Sequence, residues 1–453
     1  MSPLAELQEW AQGLTQGVAE TRRWQAVGRV VELVGLTVIA EGPPAAVGEL
    51  CLISLPRGPG TPEGKQELPA QVVGFRRGLT LLLPLTRLAG VEPGCLVRAV
   101  GTPLTTPVGK SLLGRVVDAF GSPIDGLGSL GRCQRRPIES APPPALQRRR
   151  VLEPMYFGIR ALDALLTCGK GQRVGIFSGA GVGKSSLLGM MARHTDADVI
   201  VVALVGERGR EVRDFVEARL NEALPRSVVV AATSDEPALV RITAGLTATT
   251  IAEYFRDQGL SVLLIVDSLT RLARAQREAG LAAGETPTTR GFPPSVYEFL
   301  PRLLERAGCG ATGAITGLYS VLVEGDDMQE PVADAVSAIL DGHIVLSREL
   351  ADQGHHPAIE VTASVSRLMP QVVDREHLQA AQRVRALLAA RQEVEDLIAV
   401  GAYRPGSHRM ADQALRQWDQ LSAFLRQECH EKADLEATRR ALLQLGAPGS
   451  ALS

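Results

Sequence analysis

A nine-residue stretch constrains this chain more than any other: Ser178-Gly179-Ala180-Gly181-Val182-Gly183-Lys184-Ser185-Ser186. It follows a short apolar run, Val174-Gly175-Ile176-Phe177, and opens into Leu187, Leu188, Met190 and Met191, which read as a helix. Strand, glycine-rich turn, Gly-Lys-Ser and helix together make the phosphate-binding loop of a nucleoside triphosphatase. The glycines let successive backbone N–H groups curl around phosphate oxygens, and the helix N-terminus adds partial positive charge. On this reading Gly179 to Ser186 hold the phosphates of a nucleoside triphosphate. Lys184 reaches the β- and γ-phosphates, and the Ser185 hydroxyl sits on Mg²⁺. Ser178 replaces the motif's first glycine and is small enough to permit the turn. A second Gly-Lys-Ser, Gly109-Lys110-Ser111, has Leu104 in its first-glycine position and no stretch suited to a tight phosphate turn.

Around the loop, apolar strands alternate with helical stretches from about 151 to 370. Val199–Val205, Val228–Ala232, Val262–Val266 and Ala314–Leu318 are continuous apolar runs, as in strands of a parallel sheet buried on both faces. Glu211–Leu224 and Ala238–Asp257 are long enough for crossover helices, so the fold class is α/β. Ahead of this core, residues 25–100 carry short β-type runs with Gly/Pro turns, which predict a small β-barrel. Gly58 to Gly64 reads as an exposed turn. Residues 101–150, with Pro137, Pro142, Pro143, Pro144 and Arg148-Arg149-Arg150, read as a linker leading into the core. Residues 371–453 read as a C-terminal helical domain, with Leu378, Ala381, Val384, Leu387 and Leu388 on one stripe. At the other end, Leu4, Leu7, Trp10, Ala11, Leu14 and Val18 predict an amphipathic helix within 1–24. That helix either packs on its own domain or offers a docking stripe.

Ligands on such sheets bind at the carboxyl ends of the strands, and Phe177, Val205 and Val266 are ends that lead into motifs. Asp267 follows Val266, where a carboxylate at a buried strand tip is the expected Mg²⁺ partner. The competing reading is a helix cap. Glu207 follows Gly206 after the Val199–Val205 run and can orient and polarise an attacking water.

Composition narrows the partners. With 48 basic and 50 acidic residues, nothing pulls the whole chain toward nucleic acid or membrane. Aromatic residues make up 4%, which argues against base-stacking surfaces. Six scattered cysteines without a C-x-x-C pair suit neither zinc nor a disulfide framework and read as reduced, buried thiols. No secretory signal or membrane-spanning run is evident, so the expected location is cytoplasmic.

The motifs together resemble the rotary-ATPase superfamily. They are Gly179–Ser186, Gly206-Glu207-Arg208-Gly209-Arg210-Glu211, Val266-Asp267-Ser268-Leu269-Thr270-Arg271 and Arg290-Gly291-Phe292-Pro293-Pro294-Ser295-Val296. Val321-Leu322-Val323-Glu324-Gly325-Asp326-Asp327-Met328 and Leu340-Asp341-Gly342-His343-Ile344-Val345-Leu346-Ser347-Arg348 narrow the resemblance to the type III secretion ATPases. Gly189–His194 and Gly401–Ser407 are most similar to the flagellar branch; the virulence injectisome branch is the alternative.

The resemblance implies a RecA-like core and a cytoplasmic homohexamer that hydrolyses ATP with Mg²⁺ to energise protein export. It also implies a stator-like regulator on the N-terminal helix, a central stalk protein, an export gate, export chaperones and substrates, and peripheral inner-membrane contact. Residue by residue, Lys184 and Ser185 take phosphate and Mg²⁺, Asp267 the second metal contact, and Glu207 the water. Arg208 supports the γ-phosphate, and Arg367 in Ser364-Val365-Ser366-Arg367 matches an arginine finger reaching a neighbour's site. His356 stands where relatives commonly place a base-facing Tyr, and Tyr403 is a second candidate for base packing. Gly280–Pro294 resembles a central-channel loop.

Three rivals were weighed. A nucleic-acid-translocating hexamer is disfavoured because the barrel region lacks a basic, aromatic-lined face, so no nucleic-acid partner is expected. A non-catalytic ring subunit would carry glutamine at the Glu207 position in the resembled family. A purely structural docking protein would show no Mg²⁺-dependent phosphate release.

Overall fold

The computed structural model describes residues 26–56, 66–323 and 330–447. The helix expected within 1–24 and the turn at Gly58 to Gly64 lie outside the described residues. The chain divides into two compact units, with the break between Pro103 and Leu104.

The first unit is a closed barrel. Its strands are β1 Val27–Val34, β2 Thr37–Glu41, β3 Glu49–Ser54, β4 Glu67–Arg76, β5 Leu79–Pro84 and β6 Leu96–Pro103, joined in the order β1-β2-β5-β4-β3-β6. Alternate residues turn inward, so Val38, Ala40, Cys51, Ile53, Val72, Leu82 and Val97 fill the interior.

The second unit is built on a nine-stranded sheet. Its principal strands are β7 Arg115–Val117, β8 Arg173–Ser178, β9 Val199–Glu207, β10 Ser227–Thr233, β11 Ser261–Asp267, β12 Ala314–Leu322, β13 Gly342–Leu346 and β14 Ile359–Ser366. They lie in the order β14-β13-β8-β12-β11-β9-β10-β7, and every neighbouring pair is parallel except β13 with β14. All of β9 is buried, which is why its sequence shows no polar alternation. The helices used below are α1 Lys184–His194, α2 Ala238–Asp257, α3 Leu269–Ala282, α4 Pro294–Leu304, α5 Arg375–Glu393, α6 Arg409–Arg416, α7 Trp418–Leu425 and α8 Leu435–Leu445. The expected crossover helix at 238–257 is α2. The one expected at 211–224 is broken into an α-turn at Gly209–Asp214, a π-turn at Phe215–Leu220 and a 3₁₀ stretch at Asn221–Arg226. Asn221 takes a positive φ of 37° there, and Pro225 follows.

The segment 101–150 is not a free linker. Thr105–Val108 pairs antiparallel with Gln134–Pro137, and β7 extends the parallel sheet beside β10. Strands of three or four residues give too few alternations to read from a sequence. The basic run is also tied down: Arg148 donates to Glu305 Oε2 at 2.7 Å and to the Pro143 carbonyl at 2.9 Å. Lys110 of the second Gly-Lys-Ser sits in a single 3₁₀ turn. All six cysteines are free, although Cys429 is exposed.

A buried ion pair locks this segment to the core. Arg306 is 2% exposed and Glu253 is 5% exposed. The guanidinium donates to both carboxylate oxygens at 2.9 and 2.7 Å, to the Ile138 carbonyl at 2.8 Å and to Thr250 Oγ1 at 2.9 Å. Ser140 Oγ donates to the same carboxylate at 2.9 Å. Breaking such a pair leaves a charge uncompensated, so Glu253→Ala is expected to destabilise the second unit by about 3–5 kcal/mol. Replacing both residues with Met is expected to cost less than the single change, as read from denaturant midpoints.

Candidate active site

The phosphate loop leaves β8 between two parallel neighbours, β12 and β13. Gly181 and Gly183 take φ of 80° and 93°, which lets the chain double back before α1 begins at Lys184. Two contacts hold the loop's base. Val323 N donates to the Ser178 carbonyl at 3.0 Å, and Arg348 Nη2 donates to the Ala180 carbonyl at 3.1 Å.

Lys184 reaches across the sheet to Asp267 Oδ1. Ser320, on the intervening strand β12, donates its hydroxyl to the same oxygen at 2.6 Å and lies 3.4 Å from Lys184 Nζ. Asp267 is 2% exposed and ends β11. The helix cap is supplied by Ser268, whose Oγ accepts from Arg271 N at 3.3 Å, which leaves the Asp267 carboxylate free of that duty. Ser185 is exposed at the start of α1, and Ser186 is half-buried. The donor set fits a hard divalent cation, with one hydroxyl, one carboxylate and room for phosphate oxygens. No cluster of three or more His, Cys, Asp or Glu residues suited to a metal exists among the described residues.

Glu207 ends β9 and is 8% exposed. Its Oε2 lies 2.9 Å from Arg271 Nη1, which also bonds the Gly206 carbonyl. Gly206 has φ of 67°, and a Cβ there would sit 3.1 Å from Arg271 Cδ. Burial pushes the Glu207 carboxyl up to about 8, helped by a hydrogen bond with Glu211 and by the charge of Asp267; Arg271 and Lys184 pull the other way.

Other expected residues are placed elsewhere. Arg208 is exposed at the start of the turn after Glu207. Arg367 is exposed beyond β14, its N–H donating to the Asp341 carbonyl at 3.0 Å. Because β14 runs antiparallel, Arg367 stands level with the start of β8, not with its phosphate-loop end. A cavity of about 350 Å³ beside the loop is lined by Phe177, Ser178, Val323, Val345 and Arg348 among others. Neither His356 nor Tyr403 lines it. His356 is exposed, and its carbonyl accepts from Gln427 N at 2.8 Å. The Tyr403 hydroxyl donates to Asp412 Oδ1 at 2.9 Å in the C-terminal helices.

Sequence reasoning did not assign Ser320, Arg271 or Arg348 to the site. Ser320 was open to detection as a lone hydroxyl near the end of a buried strand, and Arg271 lay inside a quoted motif without a role. Arg348 likewise closes a family motif without a role, and it meets the loop only through the fold.

A phosphate loop on a central parallel strand, a lysine–aspartate pair across one intervening strand and a buried glutamate beyond it define a phosphate-loop nucleoside triphosphatase. The nucleotide-binding domain model of the ATP synthase alpha/beta family matches residues 158–366, and that of the T3SS EscN ATPase C-terminal domain matches 373–444. The chain belongs to this family and is an ATPase of its type III secretion group. The flagellum-specific ATP synthase of Bacillus subtilis (strain 168) is 49% identical over 435 residues, 96% of this chain and 98% of the relative. The type 3 secretion system ATPase of Xanthomonas euvesicatoria is 51% identical over 412 residues, 91% of this chain and 92% of the relative. The solved structure of the assembled ATPase EscN from enteropathogenic E. coli covers 93% of this chain and 100% of its own, with TM-score 0.87 and 42% identity. No helix among the described residues is long and apolar enough to cross a membrane.

The environment of Glu207 has a measurable consequence. Its folded value of about 8 lies above the ordinary 4.5, so the fold favours the protonated carboxyl. That contribution is complete below the unfolded value and is lost as pH rises through about 8. Glu207→Gln is therefore expected to be increasingly more stable than the parent between about pH 6 and pH 9, as read from denaturant midpoints.

Proposed function

We propose that this protein is the ATP hydrolase that energises flagellar type III protein export, working as a homohexamer at a cytoplasmic export gate. The observation that carries the reading is Glu207, a buried carboxylate on the strand next to Asp267. A ring subunit that only binds nucleotide has no use for an acid there. Near-full-length identity to flagellum-specific relatives supports the flagellar assignment. Comparable identity to injectisome ATPases keeps the virulence branch as the second reading.

In the proposed reaction the backbone N–H groups of Gly179 to Gly183 and the Lys184 ammonium bind the β- and γ-phosphates of ATP. Lys184 exchanges part of its bond to Asp267 for a phosphate oxygen. Ser185 and Asp267 would hold Mg²⁺, which when bound neutralises charge developing on the phosphates. Glu207, steadied by Arg271, accepts a proton from the attacking water. Arg208 supports the γ-phosphate. Arg367 completes the site of the adjoining copy, a role supported by its exposure and by its distance from its own loop. His356 and Tyr403 remain candidates for base packing only after a rearrangement.

The assembled EscN structure supports a homo-oligomer, and EscN has been solved in complex with its central stalk EscO, which supports a stalk partner here. The stator-like regulator, export chaperones and substrates, and peripheral inner-membrane contact belong to the same reading, without a nucleic-acid partner.

Lys184→Ala is expected to abolish tight ATP binding. Glu207→Gln is expected to bind ATP and lose turnover by on the order of 10²–10⁴-fold in phosphate-release assays; equal activity would remove Glu207 from the mechanism. Arg367→Ala is expected to lower kcat by on the order of 10³–10⁵-fold. Activity should return when it is co-assembled with Lys184→Ala subunits, whose intact arginine faces an intact loop; absence of any rescue counts against a trans role.

A further inference from the structure

Two carbonyls of the phosphate loop are held from outside it. Val323, just past β12, donates its N–H to the Ser178 carbonyl at 3.0 Å. Arg348, just past β13, donates from Nη2 to the Ala180 carbonyl at 3.1 Å. β12 and β13 are the strands on either side of β8, so each flank sends one donor to the loop. Arg348 is itself set in place. Ser347 N donates to the Ala358 carbonyl at 2.9 Å, and Ser347 Oγ accepts from Leu350 N at 3.3 Å, which opens the short helix Arg348–Asp352.

We infer that Arg348 is a positioning residue for nucleotide binding: by holding the Ala180 carbonyl it keeps the Gly181 N–H turned toward the phosphates of ATP. The inference rests on the reading of Gly179 to Ser186 as the phosphate site.

The carbonyl of Ala180 and the N–H of Gly181 belong to one trans peptide unit. Such a unit is planar, and its carbonyl and N–H point in opposite directions. Whatever fixes the one therefore fixes the other. The loop's own sequence does not fix them. Turning the unit over changes ψ of Ala180 and φ of Gly181, and a glycine accepts either sign of φ. Gly181 stands at φ 80°, and a Cβ built on it would meet nothing within 4 Å. Ala180 and Gly181 are both exposed, so no packed side chain stops the rotation. The restraint is the guanidinium, and a charged donor on a carbonyl makes one of the stronger hydrogen bonds. With the unit reversed, the loop would turn an oxygen instead of a donor toward the phosphates, and a ring of donors is what binds an anion there.

The test is carried out on the full-length protein with Arg348→Met, which keeps the stem and removes the donors. ADP and ATP affinity are both expected to fall about tenfold, the worth of one oriented hydrogen bond. The KM for ATP should rise with them while kcat stays within about twofold, as for a contact made equally in ground and transition states. At saturating ADP, hydrogen exchange should show weaker protection of the amides in 178–186, and the melting temperature without nucleotide should not move. Unchanged affinity overturns the inference. So does faster exchange throughout the second unit, which would make Arg348 a packing residue. A loss confined to ATP also overturns it, since that marks a direct contact with the γ-phosphate. Lys184→Ala is the separate control: if it still binds ATP tightly, the reading of the loop itself fails.

Discussion

The bond between Lys184 and Asp267 is the interaction on which the core depends. The lysine opens the helix after β8 and the aspartate ends β11, with β12 between them. Neighbouring strands are about 4.8 Å apart, so the pair spans about 10 Å of sheet. A lysine side chain covers that reach, and Ser320 on β12 steadies the oxygen it meets. Asp267 is 2% exposed, and an unpaired buried carboxylate costs several kcal/mol. The order of the sheet and the charge balance of the site thus support each other. Only when residues 314–322 insert between strands that precede them in the chain does the aspartate find its cation.

The sequence discloses whatever depends on local pattern. Glycine spacing marked the loop, continuous apolar runs marked β9 to β12, and composition marked the barrel and the C-terminal helices. It was silent where partners come from distant segments. Arg348 meets Ala180 across 168 positions, and Arg306 meets Ile138 across another 168. Neither contact has a periodicity that would announce it. Segment 101–150 was misread for the same reason: its prolines and arginines suggest solvated chain, yet they are tied by pairing and by Glu305, which lies beyond α4. His356 carried a family expectation about the base, but its exposed side chain does not line the cavity next to the loop.

Two buried glutamates show how the fold separates structure from chemistry. Glu253 has both oxygens bound by one guanidinium and a further hydroxyl donor. Glu207 has Arg271 at 2.9 Å and the charge of Lys184 set against its burial and the charge of Asp267, so its own charge is only partly compensated. The first arrangement ties the segment before the core to it. The second leaves a group that titrates near neutrality, as proton transfer at physiological pH requires. Arg271 is central to that difference, because it also grips the Gly206 carbonyl and so holds the acid's backbone and side chain together.

The position of Arg367 bears on assembly. Ser366 pairs with Gly342 at the start of β13, while Ser178 leaves the far end of β8. Four residue steps of strand separate the two levels, about 13 Å along the sheet. The phosphate loop and the candidate finger therefore occupy opposite ends of one sheet. With Arg367 as the completing cation, a chain cannot finish its own site. Completion calls for a contact in which one copy's strand starts face the next copy's strand ends. Repeated head to tail, such a contact makes a ring when its rotation closes. A single antiparallel strand at the edge of an otherwise parallel sheet thus links the proposed chemistry to the proposed assembly.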